Sequence, residues 1–529
     1  MKRIAKKSVS ILLVMLIAFS AAAFGMTASA NSFLTINSGV LTYCNKNVVG
    51  AVEIPSTVTQ IRSNAFSGCN AITEVTVPSS VTSIGSNAFD GCTSLRKVVI
   101  EGGNCEIGSR AFNLCGSLEE ITLPSNLSAI EDGTFANCIS LKSVNIPSTV
   151  TLIGAEAFSM CQSLTEMDIP ASVKTIRTVK VNNEYKIAAN PFVGCTQIKA
   201  FTVESGNTVY SSVDGVLYGP IESPYDSEYS SNPITDKALL KYPSGKTAGS
   251  FTVPSGVIRI GNLAFDSNEN IKSIVLPNGL KSIEDYAFYM SAVTSVNIPS
   301  TVTFIGAHAF GSCAGLKSIT IPSSVKDFSG AFDYSGLTSV VISDGVETIA
   351  ARSFESCSTL ASVSIPASVR TIEYGAFRGC EALTQLSVPS SVTSIGSGAF
   401  DGCPSLTLLV ANGSFAHTYA KQNSIDFKVD SGAQKTIKSI YVVGKPDKTE
   451  YYYKETIDAE GIIVNVVYSD DTIESIRSGF SISPKTVSKV GDIDVTVEYG
   501  GFTTSFEISA SYAWWQWIIR IILLGFLWY

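Results

Sequence analysis

The sequence predicts a mainly β chain: a solenoid of about thirteen coils of 22–23 residues, then a small β-sandwich and a hydrophobic C-terminal helix. Three observations predict it. Phenylalanine recurs at fixed spacing, at Phe66, Phe89, Phe112, Phe135 and Phe158, and after two interruptions at Phe265, Phe288, Phe310, Phe332, Phe354, Phe377 and Phe400, with Phe192 between the blocks. Beyond Lys435 the text changes to longer runs of alternating apolar and polar residues. The last residues, AWWQWIIRIILLGFLWY, are almost continuously apolar.

The chain opens with MKRIAKK, the apolar run VSILLVMLIAFSAAAF and then TASA. Basic, apolar and small residues in that order predict a secretory signal peptide over residues 1–30, cleaved after Ala30. The segment carries Lys2, Arg3, Lys6 and Lys7 and no acid, so its removal takes the formal net charge from −8 to −12. No basic stripe is left to neutralise phosphates, which excludes nucleic acid as a partner.

The solenoid is expected over residues 31–430. Around each Phe the text is similar, as in IPSTVTLIGAEAFSMCQSLTEMDIP from Ile146 and VPSSVTSIGSNAFDGCTSLRKVVI from Val77. In the element L-x-x-V-x-I, Val and Ile stand two apart, as a short strand with one buried face requires. The proline that follows has no N–H for a ladder and ends the pairing. Gly85, Gly154, Gly306 and Gly396 follow the second apolar pair, where a turn with positive φ is expected. One such unit cannot bury its own Leu, Val, Ile and Phe, so the coils must stack. At a sheet spacing of about 4.8 Å, thirteen coils predict a rod or arc about 60 Å long.

These repeats, from Val40 to Phe427, resemble the BspA-like branch of leucine-rich repeats. The resemblance implies a leucine-rich-repeat solenoid outside a bacterial cell, with a role in adhesion to host or microbial surfaces, and names no ligand.

Two interruptions break the period. Near 177–189, RTVKVNNEYKIAANPF reads as a hairpin about Asn182-Asn183. Near 206–250, YSSVDGVLYG and KALLKYPSGK read as paired strands around a polar loop that carries Tyr225 and Tyr229, candidates for binding. GSFAHTYAKQNSIDFKV then reads as a helix-then-strand cap.

Residues 431–510 read as the sandwich. YVVGKPDKTEYYYKETIDAEGIIVNVVYSDDT and SISPKTVSKVGDIDVTVEYGG resemble a bacterial Ig-like domain of the group 3 type, and Asp470-Asp471 reads as a hairpin turn. In residues 511–529, Trp514, Trp515 and Trp517 at one end and Trp528 and Tyr529 at the other suit two membrane interfaces. Arg520 costs about 2.5–3.5 kcal/mol at a bilayer centre, close to what the eight Ile, Leu and Phe of the tail return. The tail is therefore read as a membrane anchor, with an interfacial helix, a processed sorting tail or a protein contact as the alternatives.

Catalytic chemistry has little to rest on. The two histidines, His308 and His417, have no Cys or carboxylate at ligand or triad spacing and read as solvated. Of twelve cysteines, Cys69, Cys92, Cys115, Cys138, Cys161, Cys195, Cys313, Cys357, Cys380 and Cys403 each follow a Phe by three and read as a buried structural ladder. Spacing leaves a few disulfides open as an alternative. Cys44 and Cys105 fall outside that register and read as the more reactive pair. No phosphate loop, zinc motif or nucleophile elbow occurs, so the chain is read as non-enzymatic and without a cofactor.

What is left is the outer face of the strands. Glu74, Lys97, Glu120, Glu166, Lys272 and Lys317 mix both signs there, and Val99, Val275 and Val341 interrupt the usual Thr, Asn or Ser. From these, Glu74, Lys97, Val99, Glu120, Glu166, Val275 and Val341 are the binding candidates. The expected function is an adhesin that contacts an unidentified extracellular protein or glycan. The alternatives are an envelope structural or wall-glycan-binding protein, in which Tyr451 to Tyr453 touch polysaccharide, and an accessory subunit of a secreted hydrolase.

Overall fold

The structure is a computed structural model that describes residues 33–182, 185–222, 237–430, 437–446, 448–468 and 473–513. It divides into two compact units, Met1–Ile271 with Ser282–Ala292, and Lys272–Lys281 with Val293–Tyr529. The signal segment over 1–30, Tyr225, Tyr229, the Asp470-Asp471 turn and residues 514–529 lie outside the described residues. Among the described residues no helix is long and apolar enough to cross a membrane.

In the first unit most coils contribute two strands. Gly50–Glu53, Ile72–Val77, Lys97–Ile100 and Glu120–Thr122 form one parallel sheet. A second sheet runs through Val40–Cys44, Gln60–Ile61, Ser83–Ile84 and Glu106–Ile107. The spacing predicts only the first; the second comes from S-V-x-x-I, where a single Ile points inward and pairs with its counterpart one coil on, as Ile61 does with Ile84. In the second unit, Ser318–Ile321, Ser339–Ile342 and Ser362–Ser364 repeat the longer sheet, and Thr348–Ile349, Thr371–Ile372 and Ser394–Ile395 the shorter one.

The A-F-x-x-C segment closes each coil and carries the core. Phe66, Phe89, Phe112, Phe135, Phe158 and Phe192 are fully buried and stack ring on ring, with centroids 4.6 Å apart at the start of the row and 6.0 Å at its end. In the second unit Phe310, Phe332, Phe354, Phe377 and Phe400 do the same at 5.3–5.8 Å. Burial of a Phe side chain contributes about 1.5–3 kcal/mol and a stacked pair about 0.5–1.5 more, gained only when a neighbouring coil is present. The backbone reinforces this, because the N–H of Phe66 donates to the Ala88 oxygen at 2.7 Å and that of Phe89 to Ala111 at 2.8 Å.

The glycine expectation is wrong in its reason. Gly85, Gly154 and Gly396 do not have positive φ; a Cβ on them would lie 2.4, 2.5 and 2.3 Å from the backbone nitrogens of Ser63, Asp132 and Tyr374 in the preceding coil. Glycine is needed there because two backbones pass too close for any side chain. Positive φ falls instead two residues before and two after the Phe of a coil, as at Asn87 (56°), Gly91 (70°), Arg110 (57°) and Leu114 (58°), whereas Phe192 has it only after, at Gly194 (70°).

Both interruptions are paired structure. Val179–Asn182 and Tyr185–Ala188 form an antiparallel hairpin. Ser211–Val213 and Val216–Gly219 form another about Asp214 and Gly215, and Ala238–Lys241 joins it antiparallel. That last strand rejoins the solenoid through Arg259–Ile260, and Tyr242 then takes a rung that the Phe register passes over. Its ring stacks on Phe265 at 5.1 Å, and its N–H reaches the Ala264 oxygen at 2.9 Å, as Phe265 reaches Ala287.

The cap is the one helix among the described residues, α1 (Phe415–Gln422), with Ser414 as N-cap. Tyr419 of α1 places its ring edge-on to Phe400 at 6.1 Å and closes the aromatic row. Strand Asp426–Asp430 follows and pairs with Thr407–Ala411. Beyond it, Ile437–Gly444, Ile463–Tyr468 and Ile473–Ile476 make one sheet of the sandwich, and Glu450–Tyr452, Phe502–Ser511, Gly491–Tyr499 and Ser481–Ser483 the other. Alternate residues of both, such as Ile440, Val464, Val466, Val495, Val497, Phe506 and Ile508, form its core.

Candidate functional site

The strand face is built by register. Parallel pairing sets Glu74 beside Lys97 and Lys97 beside Glu120, so one charged side chain per coil stands next to another. Lys97 Nζ lies 3.5 Å from Glu120 Oε2, with both side chains largely in water, where such a pair contributes little. Val99 is flanked by Thr76 and Thr122 in the same sheet and is half-buried. Glu166 stands beside Ala200 in a separate two-stranded sheet. Val275 is exposed on Ser273–Val275, and Val341 is half-buried between Thr320 and Ser364. Glu74, Lys97, Val99 and Glu120 are thus brought together, while Glu166, Val275 and Val341 each belong to another sheet.

The cysteine row is interior. The thiols of Cys92, Cys115, Cys138 and Cys161 donate to the carbonyl oxygens of Phe66, Phe89, Phe112 and Phe135 at 3.1–3.2 Å. Cys195, Cys357, Cys380 and Cys403 do the same at 3.0–3.3 Å. All twelve cysteines are free, and every one but the half-buried Cys403 is buried. Cys44 and Cys105 are no reactive pair. Cys44 sits at the head of the ladder, where its hydrogen bond with the Cys69 thiol and then burial push its pKa up, and Cys105 is held up at about 11 by burial first. Thiols raised in this way are poor nucleophiles.

Neither histidine is simply solvated. His308 Nδ1 lies 2.7 Å from Asp333 Oδ2, a carboxylate that the next coil supplies. His417 is buried in α1, and its Nδ1 accepts the N–H of Gly413 at 3.0 Å. In the sandwich Tyr451 is buried, and its hydroxyl accepts the N–H of Asp458 at 3.2 Å. Tyr452 is exposed, and Tyr453 packs on Tyr512.

Two groups of residues escape the sequence reading. Lys241 and Asp266 form an ion pair with both side chains 2% exposed; Lys241 also donates to the Leu263 carbonyl at 2.8 Å, and Asp266 accepts from the Gly194 N–H at 3.1 Å. At the turn edge of the second unit, Arg352 lies over the Tyr374 ring at 5.2 Å, Glu355 stands between Arg352 and Arg378, and Tyr334 is exposed one coil earlier. The only signal for either was the 22–23-residue period itself, which sets such residues on neighbouring coils.

Comparison with known proteins agrees with this geometry. The sequence pattern of the BspA type leucine rich repeat region matches residues 34–165, 105–213, 244–330 and 328–426. That of the bacterial Ig-like domain (group 3) matches residues 444–509. A leucine-rich repeat protein from Eubacterium ventriosum is 27% identical, with a TM-score of 0.50 over 70% of this chain and 93% of that one. A leucine rich cell surface protein from Faecalibacterium prausnitzii is 28% identical, with a TM-score of 0.46 over 78% of this chain and 100% of that one. The pneumococcal vaccine antigen PcpA is 21% identical, with a TM-score of 0.46 over 75% of this chain and 96% of that one. No curated protein matches the chain. Stacked two-strand coils, a buried Phe row and repeat matches over most of its length place the chain in the family of BspA-type leucine-rich repeat proteins, with a group 3 bacterial Ig-like domain after the repeats.

Proposed function

We propose that the chain is an exported, non-catalytic binding protein of the bacterial cell surface, an adhesin that contacts a protein or glycan on a host or neighbouring microbial cell. The observation that carries this reading is the strand face, where register sets Glu74, Lys97 and Glu120 side by side across three coils. A row of that kind offers alternating charge to a large partner, and such complementarity sets specificity and on-rate more than raw affinity. Membership of a repeat family whose proteins are generally non-catalytic binding scaffolds supports the same reading. Residues 1–30 serve as the export signal and 511–529 as the membrane attachment.

The test is made on cells that produce the full chain, the chain without 511–529, or no chain. Cells with the full chain are expected to hold it in the envelope fraction and to adhere to epithelial or microbial layers; removal of 511–529 is expected to release it and to abolish adhesion. Equal adhesion by all three would contradict the proposal.

A further inference from the structure

The turn edge of the second unit differs in kind from the strand face. Three consecutive coils, those of Phe332, Phe354 and Phe377, place two exposed tyrosines and two exposed arginines on one edge. Tyr334 is 63% and Tyr374 42% exposed. The side chains of Arg352 and Arg378 are 55% and 47% exposed. Backbone bonds fix the arrangement, since the N–H of Tyr334 donates to the Glu355 carbonyl at 2.8 Å and that of Arg352 to the Tyr374 carbonyl at 2.9 Å. Arg352 covers one face of the Tyr374 ring, 5.2 Å from its centroid; the rest of that ring and the Tyr334 ring stay exposed to water, which is unfavourable.

The polar groups around the rings are balanced. Glu355 lies 3.6 Å from Arg352 Nε and 3.8 Å from Arg378 Nη1, too far for a hydrogen bond, and Arg378 Nη1 donates to the Tyr374 hydroxyl at 3.5 Å, so each arginine keeps further N–H groups for another acceptor. Glu355 keeps its own lone pairs in the same way. Asp401, whose carbonyl accepts the Gly379 N–H at 2.7 Å, adds a second negative charge on the next coil. Two cations and two anions on neighbouring coils give a polyanion no net attraction. Donors and acceptors set beside flat apolar rings suit a ligand that has both hydroxyl groups and C–H faces.

We infer that Tyr334, Arg352, Glu355, Tyr374 and Arg378 form a binding site for a neutral glycan of glucose-like pyranose units. The tyrosine rings cover the C–H faces of the sugars, and Glu355 accepts from, while the guanidinium groups donate to, vicinal hydroxyls. The inference rests on the reading of the chain as a surface binding protein but assigns a surface other than the strand face.

The experiment is calorimetric titration of the full chain with cellohexaose and, separately, with hexagalacturonate, its acidic counterpart. Cellohexaose is expected to bind with little dependence on salt. The double variant Tyr334→Ala/Tyr374→Ala should weaken that binding about tenfold or more, since stacked aromatics contribute through both area and geometry. Arg378→Gln should weaken it severalfold, and Tyr185→Ala, at an exposed tyrosine in the hairpin of the first unit, should leave it unchanged. These side chains are exposed, so the melting curves of the variants should match that of the parent. The inference is overturned if the full chain does not bind cellohexaose, if the double variant binds it equally well, or if hexagalacturonate binds more tightly and is released by salt. Failure here leaves the whole-cell adhesion result standing, because that assay scores any surface of the chain.

Discussion

The thiol of Cys115 donates to the carbonyl oxygen of Phe89 at 3.2 Å, and the same oxygen accepts the N–H of Cys92 at 3.1 Å. Each Phe carbonyl in such a run is therefore used twice, once by its own coil and once by the next. Ordinary geometry leaves a carbonyl in a tight turn one lone pair short, and a buried carbonyl without full pairing is costly. A small side chain with a donor, set three residues after the Phe, supplies the missing bond without filling the core. Where the row carries Ser335 instead, its hydroxyl meets the Cys357 thiol at 3.2 Å.

Alkaline pH should destabilise the chain through these thiols. Burial holds Cys105 and Cys357 at about 11 and Cys195 at about 12, above the ordinary 9.0. The folded thiol stays protonated while the unfolded chain ionises, so the stabilisation is full below pH 9 and is lost as pH rises through the folded values. Melting temperatures measured from neutral to pH 11 should be level at first and then fall above about pH 8.5–9. A level profile throughout would count against buried, protonated thiols.

The Lys241–Asp266 pair should tolerate joint replacement better than single. Lys241→Met leaves a buried carboxylate alone and is expected to cost about 3–5 kcal/mol, whereas Lys241→Met/Asp266→Leu should recover most of that loss. Urea midpoints of the three proteins decide it, and a double variant no better than the single one would place the value of the pair elsewhere.

Glycine at the close approach should be irreplaceable where glycine elsewhere is not. Gly85→Ala drives a methyl group to 2.4 Å from the Ser63 nitrogen and is expected to cost about 1–3 kcal/mol. Gly116→Ala, with nothing within 4 Å and no positive φ, should be nearly neutral. Denaturation midpoints that shift equally for both would refute the steric account.

The left-handed turn positions offer a gain. Leu114 is 47% exposed at φ 58°, where a side chain strains the backbone and buries little. Leu114→Gly is expected to stabilise the fold by about 0.5–1 kcal/mol in the same titrations, since relief of that strain exceeds the entropy cost of glycine. A loss would mean that the Leu114 side chain packs more than its exposure implies.

Much of the fold was legible because one aromatic per coil is a strong periodic signal, and the Phe register located the coils, the Cys row and the cap. The short strands such as Ser83–Ile84 were not legible, because a strand of two residues shows no alternation. Tyr242 was missed because the register was carried by Phe and an intervening hairpin broke the count. The pairing of His308 with Asp333, and of Arg352 with Tyr374, joins residues far apart in sequence that stacking brings into contact. Each such pair becomes readable only after one coil is laid on the next. Of the strand-face candidates, Glu74, Lys97 and Glu120 share a sheet because they occupy the same place in successive units, a relation that spacing alone contains.

Hydrogen exchange on Phe112→Ala tests most directly whether coils depend on their neighbours. Loss of this ring is expected to cost about 3–5 kcal/mol and to remove its stacking with both Phe89 and Phe135. In a one-dimensional stack that cost is shared through the interfaces, so amide protection should fall together from the coil of Phe66 to that of Phe158. Protection lost in the coil of Phe112 alone, with Phe89 and Phe135 as well protected as before, would show that the coils stand without one another and would contradict the account.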